Sequence, residues 1–120
     1  MRAGRIEIDD SQAPARVLEL VGEHDLSTAE ELREAFRSAN GSDRPVVVDL
    51  SATDFIDSSI VAAIVECAKP NDSGTPRVIL FVPVDASASV RRVIELTGMD
   101  SHMTVRDTLD AALRDAAGGD

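Results

Sequence analysis

Two short runs bound what this chain can fold into: Val46-Val47-Val48-Asp49-Leu50 and Val78-Ile79-Leu80-Phe81-Val82. Each is almost continuously apolar, so each reads as a strand with both faces covered. Such strands sit in the middle of a sheet, with helices packed against it. Between them, Ser58 to Lys69 reads as a helix that is apolar nearly all round, and so as largely buried. Pro70-Asn71-Asp72-Ser73-Gly74 ends it.

The flanking segments supply the other elements. Arg5-Ile6-Glu7-Ile8-Asp9 alternates polar and apolar residues, and Arg16 to Val21 forms a second strand. The turn Asp10 to Pro14 is too short for a crossover helix, so the two strands pair as a hairpin. Ser27-Thr28-Ala29-Glu30 reads as a capping box, followed by Ala29, Leu32, Phe36 and Ala39 at helical spacing. Asn40-Gly41-Ser42 stops that helix. Ser51 to Asp57 reads as a loop. Ser87 to Thr97 is a helix with Gly98 as its left-handed cap. His102 opens a short edge strand over Met103-Thr104-Val105. Asp107 caps a last helix carrying Leu109, Ala112, Leu113 and Ala116. The expected order is β-β-α-β-α-β-α-β-α. The expected class is α/β (α+β), a mixed sheet packed against about four helices. One domain is expected over 1–120, with its core from about 5 to 116.

Composition narrows the function classes. Lys and Arg number 12 and Asp and Glu 22, a net charge of −10. So acidic a surface repels phosphate backbones, which argues against nucleic acid and anionic membranes as partners. There are three Phe and no Trp or Tyr, too few for base-stacking platforms. A single Cys precludes an internal disulfide and fits a reducing, cytoplasmic setting. Met1-Arg2-Ala3-Gly4-Arg5 is not followed by the apolar run of a signal peptide. The longest apolar stretch, Ile60 to Val65, falls well short of the roughly 20 residues of a membrane helix.

The stretch with most chemical content is Asp49-Leu50-Ser51-Ala52-Thr53-Asp54-Phe55-Ile56-Asp57-Ser58-Ser59. A buried strand runs into a loop that ends in Asp-Ser-Ser at a helix start. One reading is capping alone, with Asp57 or Ser58 accepting from the first free amides. The other places Ser59 in the first turn with its hydroxyl outward. Phosphate there would meet free N–H groups and the positive end of the helix dipole.

Three features together resemble the STAS domain of bacterial anti-sigma factor antagonists: Gly22-Glu23-His24-Asp25-Leu26, Val48-Asp49-Leu50 with Phe55-Ile56-Asp57-Ser58-Ser59, and Val93 to Met99 followed by Thr108 to Leu113. The resemblance spans about Arg5 to Ala116. It implies a non-catalytic binding module switched by phosphorylation, with roles in sporulation or stress response. In that family the second Ser is phosphorylated by an anti-sigma factor serine kinase of the GHKL type, and a PP2C-like phosphatase removes the phosphate. The unphosphorylated form binds the anti-sigma factor and frees the sigma factor. Carried over by position, the phosphoacceptor is Ser59, with Ser58 as the alternative. Partner binding falls to Asp25, Asp57, Ser58, Ser59 and Ile60. No cofactor and no metal is implied, and a monomer or weak dimer is expected. The family usually has Gly after the second Ser, often in Ser-Gly-Leu-Gly. This chain has Ile60 there, which either blocks docking and leaves Ser59 largely unmodified or, as expected here, fills a pocket in an adapted partner as an apolar anchor inside an acidic rim.

Other readings are weaker. Within the same fold, the chain could serve a transport or stressosome-type assembly. A receiver domain wants a Lys after its last strand, and the one Lys here is Lys69. A hydrolase could be written with Ser59, His24 and Asp25, but there is no Gly-x-Ser-x-Gly elbow. His24 and His102 lack metal-ligand spacing. Cys67 reads as packing, and Arg91-Arg92 as solvated charge.

Overall fold

Arg5–Asp9 (β1) and Arg16–His24 (β2) form the expected antiparallel hairpin, with Ile8 opposite Leu18 and Ile6 opposite Leu20. The computed structural model describes residues 3–40, 44–68 and 78–118. The expected stops at Gly41-Ser42 and at 70–74 lie outside those residues. The remaining elements are α1 (Leu26–Asn40), β3 (Val46–Asp49), β4 (Thr53–Ile56), α2 (Ser58–Ala68), β5 (Val78–Phe81), α3 (Ala88–Thr97), α4 (Met99–His102), β6 (Thr104–Arg106) and α5 (Leu109–Ala116).

The sheet runs β1-β2-β3-β5-β6, and every pairing after the hairpin is parallel. The two apolar runs are neighbours at its centre, Val46 beside Val78 and Val48 beside Leu80. Alternation along them sorts the core into two layers. Leu18, Leu20, Val46, Val48, Leu50, Val78 and Leu80 share one cluster with buried residues of α1, α2, α3 and α4. Val17, Val47 and Ile79 face the other way, onto Ala112 and Ala116 of α5. Double-sided burial is thus what the valine-rich strands encode. Among the described residues no helix is long and apolar enough to cross a membrane.

Several local expectations are corrected. The segment taken as a loop after β3 contains β4, which pairs in parallel with the far end of β2, Gly22 beside Thr53 and His24 beside Ile56. To reach it, β2 runs on to His24 instead of stopping at Val21, and its register shifts at Gly22, whose φ of 88° suits a residue without Cβ. An extra helical turn, α4, buries Met99, so His102 ends a helix and does not open a strand. Thr108, not Asp107, caps α5 by accepting from the Ala111 amide. Helix α2 buries one face, Ile60, Val61, Ala63 and Ile64, and leaves Ala62 and Glu66 exposed. The stop of α3 is as expected, with left-handed Gly98 donating to Ile94 O, while Ser87 lies just outside the helix and caps it by accepting from Val90 N. Arg91 is more than a solvated charge, since it donates to Val84 O at 2.8 Å.

On the face shared with α5, the register lines up Glu7, Glu19 and Asp49 across three strands. Burial lifts the Glu19 carboxyl above its usual range, and the Asp49 and Glu7 charges add to that. A carboxyl raised in the fold resists ionisation there. Its contribution is therefore intact below the unfolded value and is lost as pH rises through the folded value. Glu19→Gln is expected to melt higher than the native chain at about pH 7 and level with it at about pH 3. Thermal unfolding at the two pH values checks this, and equal melting temperatures at both would refute it.

Candidate functional site

Strands β2 and β4 end side by side, and the Asp57 amide donates to His24 O at 3.2 Å. Asp25 and Asp57 therefore leave neighbouring strand ends, and each opens a helix. The two starts are built alike, as Asp-x-Ser. Asp25 Oδ1 accepts from the Ser27 amide at 2.9 Å and from the Ser27 hydroxyl at 2.6 Å. Asp57 Oδ1 accepts from the Ser59 amide at 3.0 Å and from the Ile60 amide at 3.2 Å. Each aspartate thus satisfies donors left free by the first helical turn. The capping-box expectation is corrected accordingly: Asp25 caps α1, and Glu30 instead pairs with Arg37 and Arg33. The Ser27 hydroxyl and then its amide hold the Asp25 carboxyl below the usual range.

The two serines differ where the aspartates agree. The Ser27 hydroxyl is held by Asp25. The Ser59 hydroxyl has no hydrogen-bond partner among the described residues, and Ser59 is half-buried in the first turn of α2. Ser58, one position earlier, is exposed.

The structure brings Asp25, Asp57, Ser58 and Ser59 to one end of the sheet. Ile60 does not join them. Its side chain is 0% exposed and belongs to the main core cluster. The expectation that Ile60 anchors a partner is therefore corrected: the third residue of α2 points toward the sheet. Large apolar side chains that do reach the surface here are Leu26, 72% exposed, and Phe55, 39% exposed. Sequence reasoning gave neither a role, although each stands within two residues of a capping aspartate. It also missed Ser87 and Ser89, whose hydroxyls both donate to Asp54 O and tie the start of α3 to β4.

The hydrolytic arrangement is not formed. His24 is 0% exposed, and its ring nitrogens lie against Val21 O and Thr28 Oγ1. Cys67 is half-buried on α2, where burial and then Glu66 push its thiol up, away from the reactive thiolate.

Solved structures of known proteins share this fold. An anti-sigma factor antagonist from Mycobacterium paratuberculosis is 27% identical, with a TM-score of 0.77, over 96% of this chain and 95% of that one. SpoIIAA in its unphosphorylated form is 22% identical, with a TM-score of 0.75, over 95% and 97% of the two chains. Bacillus SpoIIAA in its phosphorylated form is 20% identical, with a TM-score of 0.66, over 92% and 98%. The two SpoIIAA likenesses show the fold alone. Among curated protein sequences no relative matches. The sequence model of the STAS domain matches residues 6–112, nearly the whole of the fold described above, and the chain belongs to the STAS domain family.

Proposed function

We propose that this chain is an anti-sigma factor antagonist, that Ser59 is its phosphoacceptor, and that its partner surface is the paired start of α1 and α2. The observation that carries the reading is the contrast between two like-built helix starts. Ser27 has its hydroxyl tied to a cap, whereas Ser59 keeps its amide capped and its hydroxyl unengaged among the described residues. A hydroxyl in that position can take a phosphoryl group without breaking a hydrogen bond that the fold uses. The similarity to a mycobacterial anti-sigma factor antagonist, and the fold shared with a SpoIIAA known in both phosphorylation states, support the same reading.

In this reading the partner is an anti-sigma factor serine kinase of the GHKL type. It docks on Asp25, Asp57, Ser58 and Ser59, and a PP2C-like phosphatase reverses the modification. The chain itself acts by binding, without catalysis. Incubation with such a kinase and ATP, followed by peptide mass spectrometry, is expected to place phosphate on Ser59. Ser59→Ala should abolish the label and Ser58→Ala should keep it. Phosphate on Ser58 alone, or on neither serine, would overturn the assignment.

A further inference from the structure

We infer that His24 is a positioning residue for both helix starts, and that protonation of its ring is felt at Ser59. The inference deepens the proposed function and rests on it only where a kinase is used as the readout.

Three hydrogen bonds converge on this fully buried residue. Nε2 lies 3.1 Å from Val21 O, and a carbonyl can only accept, so Nε2 carries a proton. Nδ1 lies 2.9 Å from Thr28 Oγ1, in the first turn of α1. The His24 carbonyl accepts from the Asp57 amide, and Asp57 in turn caps Ser59 and Ile60. The ring is also fitted from the N-terminal side: a Cβ on Gly4 would come within 3.1 Å of His24 Cε1 and 2.1 Å of Glu23 O. One imidazole therefore fixes the end of β2 against the start of α1, while its own carbonyl holds the start of α2.

Two protonation states fit this cage. In the neutral ring Nδ1 accepts from the Thr28 hydroxyl. In the protonated ring Nδ1–H donates to Thr28 Oγ1, and the hydroxyl turns to Asp25 O, 3.2 Å away. Asp25 O also accepts from the Thr28 amide, so neither state leaves it unpaired. Both states satisfy the buried polar groups, so either can be held without breaking the site. They differ in charge. The second places a buried cation beside Asp25 and at the N-terminal end of α1, where the helix dipole opposes it. Among the described residues the charge that acts on the ring is that of Asp25, in the turn that follows it; Glu23 precedes His24 on β2, and Asp57 meets it through the backbone. The N-terminal segment brings uncharged Gly4, and α1 brings uncharged Thr28. A change at His24 then re-aims the Thr28 hydroxyl and alters the field at both caps.

The test uses the full chain, free in solution. Nuclear magnetic resonance titration should move the Ser27 and Ser59 amide signals with the midpoint of the His24 ring and not with that of His102. In His24→Gln the side-chain amide can donate to Val21 O and accept from Thr28, so the fold should hold while this step vanishes. A second arm uses the kinase of the preceding section. There, His24→Ala and Thr28→Val should slow phosphorylation on the order of tenfold while still folded. His24→Gln should restore the rate near neutral pH and flatten its pH profile. The inference is overturned if the ring keeps one protonation state wherever the domain is folded. It is equally overturned if the Ser27 and Ser59 amides stay still while the ring titrates, or if His24→Gln retains their step. A kinase that leaves the native chain unmodified would count against the phosphoacceptor reading, and the resonance titration would then decide for His24 alone.

Discussion

Ile60→Gly is expected to lower the stability of the domain by about 3–5 kcal/mol and to leave the partner affinity of the folded fraction unchanged. Both halves follow from where the side chain sits. Ile60 is 0% exposed and belongs to the cluster that joins α1, α2 and α3 to the sheet. Deleting it removes buried apolar surface and opens a cavity that its neighbours fill only in part. Glycine adds about 1 kcal/mol of helix cost relative to alanine. Set against a typical total of about 5–15 kcal/mol, that loss places a domain of this size near its limit.

The alternative, an exposed anchor, makes the opposite forecast: little loss of stability and a large loss of affinity. Urea unfolding of Ile60→Gly and of the milder Ile60→Val separates the two. Valine keeps most of the volume and should lose about 0.5–1.5 kcal/mol. A glycine variant within about 1 kcal/mol of the native chain would show that the residue is not packed as described.

The same residue shows how far the sequence could be read. Ile60, Ala63, Ile64 and Cys67 stand at i, i+3, i+4 and i+7, the stripe of a core-facing helix. Ala62 and Glu66 mark the opposite side. The family pattern, with Gly at this place, drew attention to the surface instead. Strands β3 and β5 were legible because uninterrupted Val, Ile and Leu leave few other settings. Helix α3 was legible because Val90, Val93, Ile94 and Thr97 keep helical spacing and a glycine stop follows them. Strand β4 was not: Thr53-Asp54-Phe55-Ile56 has no alternation, with its ends buried and its middle exposed. It exists because β2 runs past Val21 and offers an unpaired edge, which is a tertiary cause. The cap of α1 was misplaced for a local reason. Asp25 and Ser27 are both good capping residues, and the carboxylate took the serine hydroxyl along with its amide. At the site, Asp25, Asp57 and the serines were legible as a motif. Thr28 and the ring of His24 were not, because their pairing depends on the burial of a polar residue at the end of a strand.

Phosphate on Ser59 is expected to leave the melting temperature within a few degrees of the unmodified chain and to weaken partner binding by about a hundredfold or more, which is ~2.7 kcal/mol. Stability should barely move because two effects oppose each other. An anion in the first turn of a helix gains about 0.3–1 kcal/mol from the dipole. Asp57, which already holds the Ser59 and Ile60 amides, and Asp25 on the neighbouring strand end repel it. No hydrogen bond from the Ser59 hydroxyl to another described residue is lost in the exchange. Binding has no such compensation. A partner surface fitted to a neutral hydroxyl meets an added charge of about −1.5 to −2 on a patch that is already acidic. Part of the loss is exposed repulsion and should fall with salt, because the screening length shrinks from about 10 Å at 0.1 M to about 3 Å at 1 M. Calorimetry of both forms against one anti-sigma factor, at low and high salt, measures the terms separately. Equal affinities would remove Ser59 from the switch. A fall of more than about ten degrees in melting temperature on phosphorylation would mean that the modification refolds the helix start, because that corresponds to more than the ~1 kcal/mol expected from charge at a helix end.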